Sequence, residues 1–170
     1  MSFIKYTIML LVLLVSFNAS ASTSNKELTV IAKIAKLCKT FSSDYTYSLI
    51  YNDITPESVA DKKAIVEYFD KKDLKISTVR LEDTLSLEKI NSNIVILANG
   101  LNSADQLRIS EILNNKSLIT VSTDLECVEN NNCLLGIEVA ETIKIYFSIK
   151  IYEQTKLKFD PTFNFMVKQI

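Results

Sequence analysis

Apolar residues between Leu28 and Phe41 recur at Leu28, Ile31, Ile34, Ala35, Cys38 and Phe41. Steps of three and four put them on one face of a helix, with Lys33, Lys36 and Lys39 on the other side. Tyr45 to Tyr51 is a run of aromatic and β-branched residues that predicts a strand, stopping at Asn52-Asp53. Thr55-Pro56-Glu57 opens a second helix. Thr55 is a capping residue, Pro56 suits the first helical position, and Glu57 complements the positive end of the helix dipole. Its buried stripe is Ala60, Ala64, Ile65, Tyr68 and Phe69, and it ends near Asp70-Lys71-Lys72. Leu74 to Leu81 is a second strand, followed by a short turn of helix at Ser86–Lys89. Asn93 to Ala98 contains the continuous run Ile-Val-Ile-Leu-Ala, the signature of a strand buried on both faces, and Asn99-Gly100 closes it. Ser103 to Gln106 has the S-x-x-Q form of a capping box and starts a helix through Leu113. Leu118 to Ser122 is a fourth strand.

Strands alternating with amphipathic helices call for right-handed crossovers and a mainly parallel sheet covered on both faces, a three-layer α/β/α architecture. After Asp124 the pattern changes. Leu134–Val139 and Ile143–Ile149 flank Ala140-Glu141-Thr142 and predict a C-terminal β-hairpin at the sheet edge. Asp160-Pro161 then predicts a closing helix, with Phe163, Met166, Val167 and Ile170 docked on the core. No repeat, low-complexity stretch or linker divides residues 22–170, which are expected to form one domain.

The N-terminus adds a compartment. Lys5, the apolar run Tyr6–Phe17 and the small-x-small triplet Ala19-Ser20-Ala21 form a cleavable signal peptide over residues 1–21. The alternative is an uncleaved membrane anchor, but a dozen apolar residues are too short to span about 30 Å of hydrocarbon. The expected product is a soluble exported chain beginning at Ser22, with Ser22–Lys26 as a polar tail. All 20 acidic residues and 18 of the 19 basic ones follow residue 21, which leaves a charge of −2. That charge does not suit a nucleic-acid binder.

Absent residue types narrow the chemistry. The chain has no His, which removes Ser-His-Asp and Cys-His catalysis and most catalytic zinc sites. Its two glycines, Gly100 and Gly136, cannot build a glycine-rich phosphate loop. Nothing marks a catalytic pair among the carboxylates, so the expectation is a non-catalytic protein without cofactor or metal. Cys127 and Cys133 bracket Val-Glu-Asn-Asn-Asn, read as a polar loop. In an exported protein a disulfide between them would hold that loop and stabilise the fold by about 2–2.5 kcal/mol; two free thiols are the alternative. Cys38, on the first helix's apolar stripe, is expected to be buried, with a reactive thiol as the alternative.

Ligands of open α/β sheets sit outside the carboxyl ends of the strands. Those ends carry Asn52, Asp53, Asn99, Ser122, Thr123 and Asp124, the candidate ligand-binding residues. The same residue types also serve simply as turn and cap residues.

Two stretches carry family resemblances. Residues 49–66, L-I-Y-N-D-I-T-P-E-S-V-A-D-K-K-A-I-V, resemble the first strand and helix of ABC-type periplasmic solute-binding domains. Residues 118–170 resemble the C-terminal half of the YfiR-like periplasmic regulators. They share the strand L-I-T-V-S-T-D, the cysteine-bounded loop, L-L-G-I, I-K-I-Y-F-S-I and the closing K-F-D-P-T-F-N-F-M-V-K-Q-I. The second resemblance implies a small, non-enzymatic α/β regulator that binds an inner-membrane sensor protein, such as a diguanylate cyclase. The first implies a domain that binds a small-molecule solute.

Overall fold

The computed structural model describes residues 22–42, 44–114 and 116–170. The expected leader, residues 1–21, lies outside them. In chain order the elements are α1 Asn25–Ala35, β1 Tyr47–Tyr51, α2 Pro56–Lys71, β2 Ile76–Arg80, α3 Thr84–Glu88, β3 Ile94–Leu97, α4 Ser103–Leu113 and β4 Ile119–Ser122. They continue with α5 Leu125–Glu129, β5 Leu135–Val139, β6 Ile143–Phe147, α6 Ile149–Glu153, a 3₁₀ turn Pro161–Phe165 and β7 Val167–Gln169.

The strands form one sheet in the order β2-β1-β3-β4-β5-β6-β7. The first five run parallel; β6 pairs antiparallel to β5, and β7 pairs parallel to β6. The order in which successive strands are laid down reverses between β1 and β3, the place where doubly wound sheets open a crevice. The continuous apolar run of β3 is explained by its central position. Ile94, Ile96 and Ala98 enter one core layer with α1 and α2, while Val95 and Leu97 enter the other with α3, α4 and α5. The expected three-layer α/β/α fold with a mainly parallel sheet is the one observed.

Several local expectations are corrected. The closing segment is not a helix: a single 3₁₀ turn leads into edge strand β7. Only Phe163 of its apolar stripe is buried, stacked on Phe159 at 4.1 Å and edge-on to Phe147 at 5.4 Å. Met166 and Ile170 stay exposed, because pairing with β6 sends alternate side chains away from the core. The hairpin β5–β6 forms through Ala140–Thr142, but β7 places it one strand inside the edge. α1 ends at Ala35, and Cys38 instead bridges to Phe159 beyond it, still buried. Asn102, not Ser103, caps α4, through its side-chain oxygen and the Asp105 N–H.

Residues 125–129, read as part of a strand-to-hairpin loop, form α5, so Cys127 lies on a helix inside the second core layer. Cys127, Cys133 and Cys38 are all buried free thiols, and the bridge expected between the first two is not formed here. Cys127 and Cys133 are nonetheless held together: the Cys127 carbonyl accepts from the N–H groups of Asn132 (2.8 Å) and Cys133 (3.2 Å). The Cys133 thiol donates to the Leu135 carbonyl at 3.4 Å. Burial, reinforced by the neighbouring Cys127 thiol, pushes the Cys133 thiol well above its ordinary pKa. In such an apolar site the neutral thiol is favoured over the thiolate that exchange chemistry requires.

Candidate functional site

Each parallel strand delivers the chain to the same end of the sheet. There it turns into the next helix, so the N-termini of α2 and α4 face the strand ends. The start of α1 lies at the same end and closes the wall. Ser24 caps it reciprocally: its hydroxyl accepts the Glu27 N–H at 3.3 Å, and the Glu27 carboxylate accepts the Ser24 N–H at 2.6 Å. The polar tail expected at 22–26 is therefore ordered structure, and Thr23 is buried.

Thr23 is buried because it docks on Asp61, a carboxylate with no exposed surface on α2. Asp61 accepts from the Thr23 N–H (2.5 Å), the Thr23 hydroxyl (3.0 Å) and the Asn99 N–H (2.8 Å). The Thr123 hydroxyl donates to Asn99 Oδ1 at 2.9 Å, and Asn99 Nδ2 donates to the Thr23 hydroxyl at 3.3 Å. A buried carboxylate is tolerated where hydrogen bonds stand in for its water, and Asp61 has three. These bonds tie the start of α1, α2 and the ends of β3 and β4 into one floor.

Above that floor lies a cleft of about 500 Å³, walled by Ser22, Ser24, Glu27, Leu101, Asp124 and Val139, with Asn99, Gly100 and Thr123 at its base. The volume falls within the range of small-molecule sites. Gly100 adopts φ 79°, a left-handed conformation that favours glycine, and a Cβ there would lie 2.9 Å from Glu57 Cβ and 3.0 Å from Ser58 N. The turn after β3 thus lies directly against the start of α2. At the other wall Asp124 Oδ1 caps the Glu126 N–H, while Oδ2 accepts from Gln106 Nε2 at 2.7 Å. Gln106 Nε2 also donates to the Leu101 carbonyl at 3.1 Å, and its Oε1 is shielded from solvent without a protein partner.

Of the six residues expected at the ligand site, Asn99, Thr123 and Asp124 meet in this cleft. The other three serve turns. Asn52 Oδ1 accepts the Ile54 N–H at 2.9 Å, and its own N–H donates to Ser58 at 2.9 Å. Asp53 faces Arg80 at the surface at 3.4 Å. Ser122 Oγ accepts the Asp124 N–H at 3.0 Å. Thr23, Asp61 and Gln106 were not anticipated. One signal was available: Asp61 falls with Ser58, Ile65, Tyr68 and Phe69 at helical spacing on the buried face of α2. A carboxylate on an apolar stripe is a candidate for a specific buried role.

No family model and no curated protein matches the chain. Its fold is shared with solved structures, among them two of unrelated sources. One is a conserved domain protein from Vibrio cholerae O1 biovar El Tor: TM-score 0.64 and 12% identity over 87% of this chain and 60% of that one. The other is the ABC domain of Streptococcus pneumoniae in complex with L-Trp: TM-score 0.62 and 10% identity over 85% of this chain and 59% of that one. The chain thus spans about three fifths of the length of each. At such identities the likeness is one of fold. Among the described residues, no group of His, Cys, Asp and Glu is arranged to hold a metal ion. No described helix is long and apolar enough to cross a membrane.

Proposed function

We propose that this domain binds a small zwitterionic solute of amino-acid type in the cleft at the strand ends and performs no chemistry on it. The observation that carries this reading is the convergence of Asn99, Gly100, Thr123 and Asp124 on one recess of about 500 Å³, at the end of the sheet where open α/β folds take ligands. Its walls carry two carboxylates, Glu27 and Asp124, and no Lys or Arg, which suits an ammonium group. The start of α1, whose Ser24 and Glu27 line the recess, brings the positive end of a helix dipole to it, which suits the solute's carboxylate. The fold shared with a domain solved in complex with L-Trp supports the same ligand class. The proposal includes export: cleavage after Ala21 would leave Ser22 in the cleft wall.

The test is thermal unfolding of the Ser22–Ile170 chain with each of the common amino acids at millimolar concentration. A ligand at a hundred times its Kd adds about 2.7 kcal/mol, which raises Tm by roughly 5–10 °C for a domain of this size. The Thr123→Val variant should lose that shift. A panel in which no compound raises Tm argues against the reading.

A second reading, a regulator that docks on another envelope protein, is favoured by one observation. Phe165 is 90% exposed beside edge strand β7, with Met166, Ile149 and Ile170 also exposed nearby along the chain or through β7 pairing. If that face engages a diguanylate cyclase, cells carrying the chain will hold less cyclic diguanylate than cells carrying the Phe165→Asp variant. Equal levels dismiss it.

A further inference from the structure

We infer that the opposite end of the sheet carries an oxyanion-binding recess, fitted to a phosphate group such as that of a small phosphate monoester. Helix α3 has only five residues, and it covers the β1–β2 side of the sheet through Leu87. The amino-terminal half of the β1–β2 pair is left with a recess of about 450 Å³. Its floor is the cross-strand pair Ser48 and Ser77, in register and joined at 2.7 Å. Its walls include Lys75 at the start of β2, Lys89 after α3, and Ser92 before β3.

Three features point to an anion. First, the lining holds two lysines and no carboxylate. Neither Lys75 nor Lys89 makes an ion pair within 4.0 Å or a side-chain hydrogen bond among the described residues; Lys89 feels Asp83, outside the lining, only through longer-range attraction. Second, Ser92 lines the recess and its Oγ has no partner among the described residues, so rotation about its Cα–Cβ bond offers a guest an uncommitted hydroxyl. Third, the serine pair can turn one hydroxyl hydrogen toward a guest. When the Ser77 hydroxyl donates to Ser48, the Ser48 hydrogen is free to donate to a guest; when Ser77 donates to the Tyr47 carbonyl at 3.3 Å, Ser48 donates to Ser77. Two other hydroxyls of the lining are already committed, Ser86 to Asp83 at 2.6 Å and Thr46 to Asn93 at 3.0 Å. Two cations with the hydroxyls of Ser92 and the Ser48–Ser77 pair between them match the oxygens of a phosphate. The volume leaves room for an organic group attached to it.

This recess lies at the amino ends of β1 to β3, away from the cleft at the carboxyl ends, and its test is independent of the proposed solute. Amide resonances of the ¹⁵N-labelled Ser22–Ile170 chain are followed as inorganic phosphate, glycerol 3-phosphate or adenosine monophosphate is added at constant ionic strength, with chloride as control. Saturable shifts at Ser77, Lys89 and Ser92 are expected, larger for one of the esters than for inorganic phosphate if an organic group is seated. Lys75 and Lys89 are exposed, so the K75Q/K89Q double variant should keep the native melting curve while binding at least tenfold more weakly. Ser92→Ala should weaken binding severalfold without abolishing it. Absence of saturable shifts, equal shifts with chloride, or undiminished binding by K75Q/K89Q would each overturn the assignment.

Discussion

Replacing Asp61 tests whether the start of the chain is built into the cleft floor. The carboxylate is fully buried and accepts three hydrogen bonds, two from Thr23 and one from the Asn99 N–H. In Asp61→Asn one oxygen remains, and the new amide turns its own hydrogens toward donors. At least one N–H or O–H then loses its partner in a site closed to water. Hydrogen bonds to a charged group contribute about 1.5–3 kcal/mol each, and an orphaned buried donor costs about 1–3 kcal/mol, so a loss of roughly 2–4 kcal/mol is expected. Thr23→Val removes only the hydroxyl's bonds and should cost about 1–2 kcal/mol. The two residues touch, so the double variant should be less damaged than the sum of the singles, by at least about 1 kcal/mol. Urea unfolding followed by far-ultraviolet circular dichroism gives all four stabilities, and hydrogen exchange at the Thr23 amide reports its release directly. If Asp61→Asn costs less than about 1 kcal/mol, or the effects add, Thr23 is not docked on Asp61 and the cleft floor is wrongly described.

Three further outcomes follow. Phe163→Ala should destabilise the domain by about 3–5 kcal/mol, because Phe163 is buried between Phe147 and Phe159; urea midpoints measure this, and Phe165→Ala, at an exposed ring, should be near neutral. Asp160 is held down to a pKa of about 2, first by hydrogen bonds from the Thr162 N–H and hydroxyl and then by Lys39. Its stabilisation should be complete above the unfolded value of about 4 and be lost as pH falls through about 2, so wild type and Asp160→Asn should converge across that acid window in pH-dependent melting. The thiols should be silent toward a thiol reagent in the native protein; unfolding should expose three in protein kept reduced. We propose that passage through an oxidising compartment joins Cys127 to Cys133, leaving one. Rapid native reaction would contradict the burial.

The parallel half of the fold was legible because its signals are local. Ile94–Leu97 is apolar without interruption since two layers cover it, and Thr55-Pro56 marks a helix start although Thr55 makes no side-chain cap bond. The closing segment was misread because Phe163, Met166, Val167 and Ile170 satisfy helical spacing equally well. What decides is pairing with β6, a contact about twenty residues away that leaves no local mark. Cys127 looked like a loop residue because its neighbours Glu126, Glu129 and Asn130 are polar, yet Glu126 and Glu129 form the outer side of a five-residue helix that Asn130 closes. The site divided along the same line. Asn99, Thr123 and Asp124 were accessible from strand ends alone, whereas Thr23 depends on a partner 38 residues away and looked like solvated tail.

The central claim is that the cleft over Asn99, Gly100, Thr123 and Asp124 takes a zwitterionic solute. The most direct measurement is a ¹⁵N-resolved titration of the Ser22–Ile170 chain with pooled amino acids at millimolar concentration. The account predicts that one pool shifts the amides of Ser24, Asn99, Gly100, Thr123 and Asp124 saturably, that the shifts trace to a single amino acid, and that Thr123→Val abolishes them. Cleft amides that stay still with every pool, or saturable shifts confined to another face, would contradict it.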